Sequence, residues 1–174
     1  LIASIRGGFE MIGACDPSLG LPGRRGDFSA IATLLRDPKG GRLHVLDADI
    51  RKRTPDETIA AVLEYHRLRR YAVFAFEGVQ FQSFMRTELE RRAREKGHAL
   101  RVIDVKHTAD KVARIQALHP LVCSGVLSFS RRHRLLLEQL RQFPRGAHDD
   151  GPDALEMAAT LASRRFVMPR IWAF

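Results

Sequence analysis

The stretch His148-Asp149-Asp150-Gly151-Pro152-Asp153-Ala154-Leu155 places three carboxylates directly before an apolar run that extends to Ala162. Pro152 suits the first helical position and Asp149 or Asp150 suits the N-cap, so the stretch predicts the start of a helix. A lone capping Asp needs no further function, because it gains from the helix dipole. Three crowded anions repel one another, however, and their repulsion favours a divalent cation bound by oxygen ligands.

The composition indicates one globular domain with a large positive charge. The 174 residues are 45% hydrophobic and 28% charged, which is enough for one well-filled core. A formal net charge of +9 favours a polyanionic partner, nucleic acid before membrane. No apolar run is long enough to cross a bilayer, so we expect a soluble, cytoplasmic protein without a membrane partner. Cys15 and Cys123 lack the spacing of a disulfide framework or a zinc site.

Three predicted strands follow residues 1–10, which we expect to be a linker remnant. Residues 11–16 form a short apolar run that ends in Asp16, a pattern typical of a central buried strand. Residues 27–35 and 42–50 are the next two predicted strands. Because a tight turn with two glycines joins them, we expect the three strands to pair antiparallel.

The rest of the sequence alternates predicted helices and strands. Thr54-Pro55-Asp56-Glu57 is a capping signature for a helix that runs to about Arg70. The later predicted elements are a strand at 71–77, helix at 81–96, strand at 100–105, helix at 109–118 ended by Pro120, short strand at 126–129, helix at 135–143 and the helix of the acidic stretch. This order predicts an α/β fold: a mixed sheet of three antiparallel strands and then parallel strands, flanked by helices.

Two further acids, Asp16 and Glu77, are predicted at the carboxyl ends of strands, where open α/β sheets bind ligands. If their strands are adjacent and parallel, the two acids are neighbours. The helix that starts near Asp150 would bring its amino end to the same edge, with Asp149 and Asp153 close by. Taken singly, Asp16 fits a turn and Glu77 an ordinary strand end. Together with Asp150 they predict an oxygen-rich metal site.

These motifs resemble the nuclease domain of the large terminase subunit of tailed phages and prophages, an RNase H-like fold related to RuvC-type resolvases. The matching elements are Asp16-Pro17-Ser18, Gly26-Asp27-Phe28-Ser29-Ala30, Phe76-Glu77, Lys106 with Lys111 and Arg114, Gln139-Leu140, Phe143-Pro144 and the acidic stretch. The resemblance implies a nuclease domain over residues 11–165 and a C-terminal tail at 166–174. It also implies a packaging ATPase domain, a small terminase subunit and a portal as partners in the host cytoplasm.

The resemblance further implies a catalytic triad of Asp16, Glu77 and Asp150 that coordinates two Mg²⁺ or Mn²⁺ ions and cuts double-stranded DNA. Asp16 is the expected bridging ligand, and Glu77 and Asp150 are each expected to hold one ion. Asp149 and Asp153 are further candidate ligands, Asp153 because of its Asp-x-x-Asp spacing with Asp150.

Basic side chains near this edge are candidates for contacts with DNA phosphates, although a solvated basic surface is the alternative for each of them. The candidates are Lys106, His107, Lys111, Arg114, Arg131 and Arg132. Two other functions stay open on the sequence alone. The first is a RuvC-like Holliday junction resolvase, which would act as a dimer, and the second is a DNA-binding or motor-docking module that does not cleave.

Overall fold

A mixed β-sheet forms the centre of the molecule, as shown by a computed structural model that describes residues 8–18, 28–37, 39–77, 80–105, 107 and 109–163, without the side chains of 80–83. The strands are β1 (Glu10–Asp16), β2 (Ser29–Arg36), β3 (Leu43–Arg51), β4 (Val73–Glu77), β5 (Val102–Val105) and β6 (Leu127–Ser128). The helices are α1 (Pro55–Arg69), α2 (Gln80–Glu95), α3 (Lys111–Gln116), α4 (Leu118–Cys123), α5 (Arg134–Gln142) and α6 (Asp150–Ser163).

Residues 1–7 of the expected linker and the expected tail at 166–174 lie outside the described residues. Glu10, which we assigned to the linker, is already part of β1. Within the described ranges, no helix combines the length and the apolar character that crossing a bilayer requires.

The strands lie in the order β5-β4-β1-β2-β3-β6. β2 pairs antiparallel with both β1 and β3, whereas β1 with β4, β4 with β5 and β3 with β6 pair parallel. Of these six strands, all except β2 therefore run in one direction, and their carboxyl ends share one edge of the sheet. The predicted fold class, a mixed sheet with antiparallel and then parallel strands, is confirmed.

Successive side chains of a strand point to opposite faces of the sheet, so each face carries its own hydrophobic core. On one face, Ile12 and Ala14 of β1 belong to the cluster formed by the buried side of α6. On the other face, Cys15 packs with residues of α1 and α2. The central strands are covered on both sides, which explains why β1 and β4 have nearly continuous apolar sequences.

The predicted capping signature forms as expected at the start of α1. Thr54 Oγ1 accepts a hydrogen bond from the Glu57 amide at 3.3 Å, and the Glu57 carboxylate accepts one from the Thr54 amide at 2.8 Å. Pro55 is the first helical residue. The helix ends at Arg69, and Arg70 adopts a left-handed backbone conformation with φ of 56°.

Two prolines lie inside helices and not at the boundaries that we predicted. The region of the predicted 109–118 helix holds two short helices, α3 and α4, and Pro120 is the third residue of α4. Pro152 is likewise the third residue of α6 and not the first. Both positions belong to a first helical turn, where backbone N–H groups have no partner within the helix and proline costs little.

The amino end of α6 packs directly against β3. A Cβ atom at Gly151 would lie 2.5 Å from Ile50 Cδ1 and 2.6 Å from Gln139 Oε1, so a larger residue would have to displace one of these buried side chains. The Gly151 amide donates a hydrogen bond to the same Gln139 oxygen at 2.9 Å. Gln139 lies on α5 and is buried, and it thereby satisfies one of the free donors at the start of α6.

We predict that Gly151→Ala lowers the free energy of unfolding by about 1 to 3 kcal/mol, because the added methyl group must displace Ile50 or Gln139. Urea unfolding measures the change. Gly40→Ala is the matched control, since its nearest neighbour is the end of the Asp37 side chain in a surface turn, and its effect should stay within about 0.5 kcal/mol. Equal effects in the two variants would contradict the proposed close approach of α6.

Candidate metal-binding site

Asp16 and Glu77 lie side by side at the shared carboxyl edge of the sheet. Asp16 is the last residue of β1 and Glu77 the last of β4, and the preceding residues, Cys15 and Phe76, are register partners in the parallel pair. Strand alternation places both carboxylates on the face covered by α6. The predicted adjacency of the two acids is therefore present in the structure.

The acids of α6 reach the same edge. Burial is the main cause that raises the pKa of Asp16, from 3.8 to about 9, followed by the negative charge of Glu77. The charges of Asp153 and Asp150 raise it further, as does a hydrogen bond between Asp16 and Glu77. Burial and the neighbouring carboxylates therefore favour the protonated form of Asp16 at neutral pH.

Asp149 and Asp150, both candidate ligands, have different surroundings. Asp149 is 37% exposed, and its Oδ1 atom accepts a hydrogen bond from Lys111 Nζ at 2.8 Å. Asp150 is 14% exposed, and its Oδ2 atom lies 4.0 Å from His148 Nδ1. Because Asp150 is the residue whose charge acts on Asp16, it is the better candidate for a ligand beside Asp16 and Glu77.

Lys111 neutralises part of this acidic cluster. Its Nζ atom lies 2.8 Å from Asp149 and 2.5 Å from Asp153, which is almost buried. Partial burial lowers the pKa of Lys111, but the hydrogen bonds to the two carboxylates outweigh burial and raise that pKa above its usual value. Lys111 is therefore positively charged throughout the physiological pH range.

Arg114 forms a second, more deeply buried ion pair network. Its guanidinium binds Asp153 at 3.2 Å and also binds Glu156, and all three side chains are less than 15% exposed. Its Nη1 atom also lies 3.2 Å from His107 Nε2, at the end of β5. Arg114 thus links α3 to α6 and fixes the position of Asp153.

Two residues that shape this site, Glu156 and Gln139, were not among the predicted site residues. Glu156 follows Asp153 by three residues, so both lie on the same face of α6, and an acid within the apolar run was the available signal. Gln139 belongs to a matched motif, but the motif alone did not indicate that its side chain caps α6.

The other predicted DNA contacts are not all near the carboxylates. Lys106 and Asp27 lie outside the described residues. Arg131 is exposed in the turn after β6, and Arg132 donates a hydrogen bond to the Leu46 carbonyl in the middle of β3. Strand spacing places Leu46 roughly 16 Å from Asp16, so the structure does not bring Arg132 to the acidic edge.

The donor set has the chemistry that a hard divalent cation requires. Asp16, Glu77 and Asp150 offer only carboxylate oxygens, and after burial the negative charges of Glu77 and Asp150 are among the causes that raise the pKa of Asp16. Across the described ranges, no three His, Cys, Asp or Glu side chains already surround a common point as metal ligands do.

No protein-family model matches the chain, and no curated protein sequence matches it significantly. Solved structures, in contrast, share its architecture, which is the RNase H-like nuclease fold. The terminase nuclease domain of human cytomegalovirus, soaked with manganese and bound to an inhibitor, superposes with a TM-score of 0.64 and 16% identity, covering 89% of this chain and 83% of that one.

Two further structures show the breadth of this similarity. The nuclease domain of the phage P22 large terminase has a TM-score of 0.61 and 16% identity, over 92% of this chain and 84% of that one. The yeast mitochondrial Holliday junction resolvase Ydc2 has a TM-score of 0.53 and 10% identity, over 87% and 77%. At these identities the similarity establishes the fold.

We predict that Asp16→Asn stabilises the metal-free protein increasingly as pH rises. Between pH 3.8 and about pH 9, the folded protein favours a proton on Asp16 that the unfolded chain releases. The contribution of Asp16 to the free energy of unfolding therefore decreases as pH rises. For one proton, the free energy of unfolding changes by at most about 1.4 kcal/mol per pH unit. Urea unfolding in EDTA between pH 5 and 8 measures the difference from wild type, and parallel profiles would contradict it. Asp56→Asn, an exposed change, is the control.

We predict that Arg114→Met lowers the free energy of unfolding by about 3 to 5 kcal/mol, because it leaves Glu156 buried without its cation. Arg67→Met is the control, since its ion pair with Glu64 is 55% exposed on both sides and is worth less than about 1 kcal/mol. Adding Glu156→Met to Arg114→Met should restore part of the stability. Similar losses in the two single variants would show that Arg114 has no buried structural role.

Proposed function

We propose that the chain is the endonuclease domain of a viral DNA-packaging terminase, which cuts concatemeric double-stranded DNA with the help of divalent metal ions. The observation that carries the proposal is the position of Asp16, Glu77 and Asp150 at one sheet edge of an RNase H-like fold. The manganese-soaked cytomegalovirus nuclease domain supports the same assignment. The net charge of +9 supports a polyanionic substrate.

Asp16, Glu77 and Asp150 would hold two Mg²⁺ or Mn²⁺ ions through their carboxylate oxygens. When bound, such ions neutralise charge on the phosphate and lower the pKa of the attacking water. Only the anionic form of Asp16 would be a strong ligand, so a bound cation would have to offset the burial that raises the pKa of Asp16. Asp149 and Asp153 remain candidate ligands, but each would have to leave Lys111.

The basic residues of α3 have separate tasks in this proposal. Lys111, partly exposed beside the carboxylates, is placed to contact a DNA phosphate when it turns away from Asp149. Arg114 is buried with Asp153 and Glu156, so it acts as a positioning residue that holds α3 against α6. His107 and Lys106 would extend the basic surface from the end of β5, and Arg131 and Arg132 would meet DNA only away from the acidic edge.

A packaging ATPase domain, a small terminase subunit and a portal are the protein partners that this proposal implies, and the host cytoplasm is the implied location. Residues 11–165 would form the nuclease domain. A Holliday junction resolvase is the second candidate, supported by the similarity to Ydc2 at a TM-score of 0.53. The terminase domains of cytomegalovirus and P22, at 0.64 and 0.61, favour the first candidate.

We predict that the wild-type protein nicks supercoiled plasmid in Mn²⁺ and that EDTA abolishes the reaction. Asp16→Asn, Glu77→Gln and Asp150→Asn should each reduce the rate by at least about 100-fold, since even residues behind the direct ligands cost 10- to 100-fold. Asp104→Asn is the matched control, because Asp104 pairs with Arg86 on the opposite face of the sheet. Agarose gels with time points measure the rates.

Equal cleavage by wild type and the three carboxylate variants would overturn the site assignment. Absence of metal-dependent cleavage together with DNA binding would favour the module that does not cleave. Preferential cutting of four-way junctions by a stable dimer, measured with synthetic junctions and analytical ultracentrifugation, would favour the resolvase.

A further inference from the structure

A lysine at the end of β3 lies on the same face of the sheet as the acidic site. Ala30 of β2 pairs with both Asp16 and Ile50, and Ala30 and Ile50 both belong to the core beneath α6. Side chains two residues apart along a strand share a face. Phe28, directly before β2, packs against this core, and the side chain of Lys52, directly after β3, lies over the Phe28 ring.

Phe28 holds Lys52 next to the start of α6. The Lys52 Nζ atom lies 5.7 Å from the centre of the Phe28 ring, within the range of a cation–π interaction. The His148 ring packs edge-on against the same Phe28 ring, with centroids 4.9 Å apart. Phe28 itself packs against the core. Lys52, Phe28 and His148 thus form a contiguous row that leads to Asp150.

The charge of Lys52 is available to a ligand, in contrast to the charges of its neighbours. Arg51 and Arg53 both bind Asp49, which lies on the opposite face of β3. Lys52 is exposed, and among the described residues no carboxylate lies within ion-pairing distance of it. A cation held only by an aromatic ring retains most of its attraction for a phosphate.

We propose that Lys52, supported by Phe28, is a phosphate contact that holds one strand of duplex DNA on the β3 side of the carboxylates. The inference rests on the proposed nuclease function and adds a second side to its substrate surface, since Lys111 lies on the opposite, β5 side. β3 is two strands from β1, a separation of roughly 10 Å. With a helix-axis rise of about 3.4 Å per nucleotide step, a duplex laid across the strands would bring Lys52 to a phosphate about three steps from the cleaved bond.

Fluorescence anisotropy with a labelled 30-base-pair duplex, in EDTA and across 50 to 200 mM salt, tests the contact in the full chain. Loss of one phosphate contact in Lys52→Gln should reduce the magnitude of the slope of log affinity against log salt by about 0.9. The affinity of the variant relative to wild type should therefore fall by a factor of about eight for each tenfold decrease in salt. Lys52→Arg should retain the wild-type slope because it keeps the charge. Lys39→Gln, the same change in the β2–β3 turn at the opposite edge, should also match wild type.

Plasmid cleavage by the same proteins in Mn²⁺ separates this inference from the proposed function. If wild type cleaves and Lys52→Gln keeps the wild-type slope and affinity, the Lys52 contact is overturned and the nuclease stands. If the slope falls in Lys52→Gln but wild type does not cleave, the nuclease is overturned and the DNA contact stands. An equal loss of slope in Lys39→Gln would also overturn the contact, because it would show a general charge effect.

Discussion

The packing of the α6 amino end against β3 is the constraint on which the site depends. Gly151 provides the space, and the buried amide of Gln139 satisfies the helix amide that this close approach would otherwise leave without a partner. The contact brings Asp150 and Asp153 to the sheet edge where β1 and β4 deliver their own acids. A helix displaced by a side chain at position 151 would separate the two groups of carboxylates that define the site.

Bringing these carboxylates together costs free energy, and the structure offsets that cost in two ways. Asp153 and Glu156 are paired with Lys111 and Arg114, which come from α3. Asp16 is compensated instead by a proton, as its raised pKa shows. Asp153 and Glu156 are thus held by cations of the protein, whereas Asp16 can exchange its proton for a metal ion, which supports Asp16 as a metal ligand in the proposed nuclease.

The charge distribution around the site suits an elongated anionic substrate. Carboxylates occupy the middle of the edge, with Lys111 on the side of β5 and Lys52 on the side of β3. A duplex laid across the strands would meet positive charge on both sides of the bond to be cut. Such contacts with phosphates position DNA without reading its sequence.

Much of the architecture could be predicted from local patterns. Strand and helix periodicity are local properties, so the order of the elements could be predicted from the capping signature at Thr54 and the acidic start of α6. The edge where the acids lie was indicated by the apolar runs that end in Asp16 and Glu77. Only the tertiary structure decided which charges pair. Arg114 meets Glu156 and Lys111 meets Asp149 across about 40 residues of sequence, and Lys52 reaches Phe28 through strand pairing. Periodicity assigns a side chain to a face, but the partner on that face depends on how helices pack against the sheet.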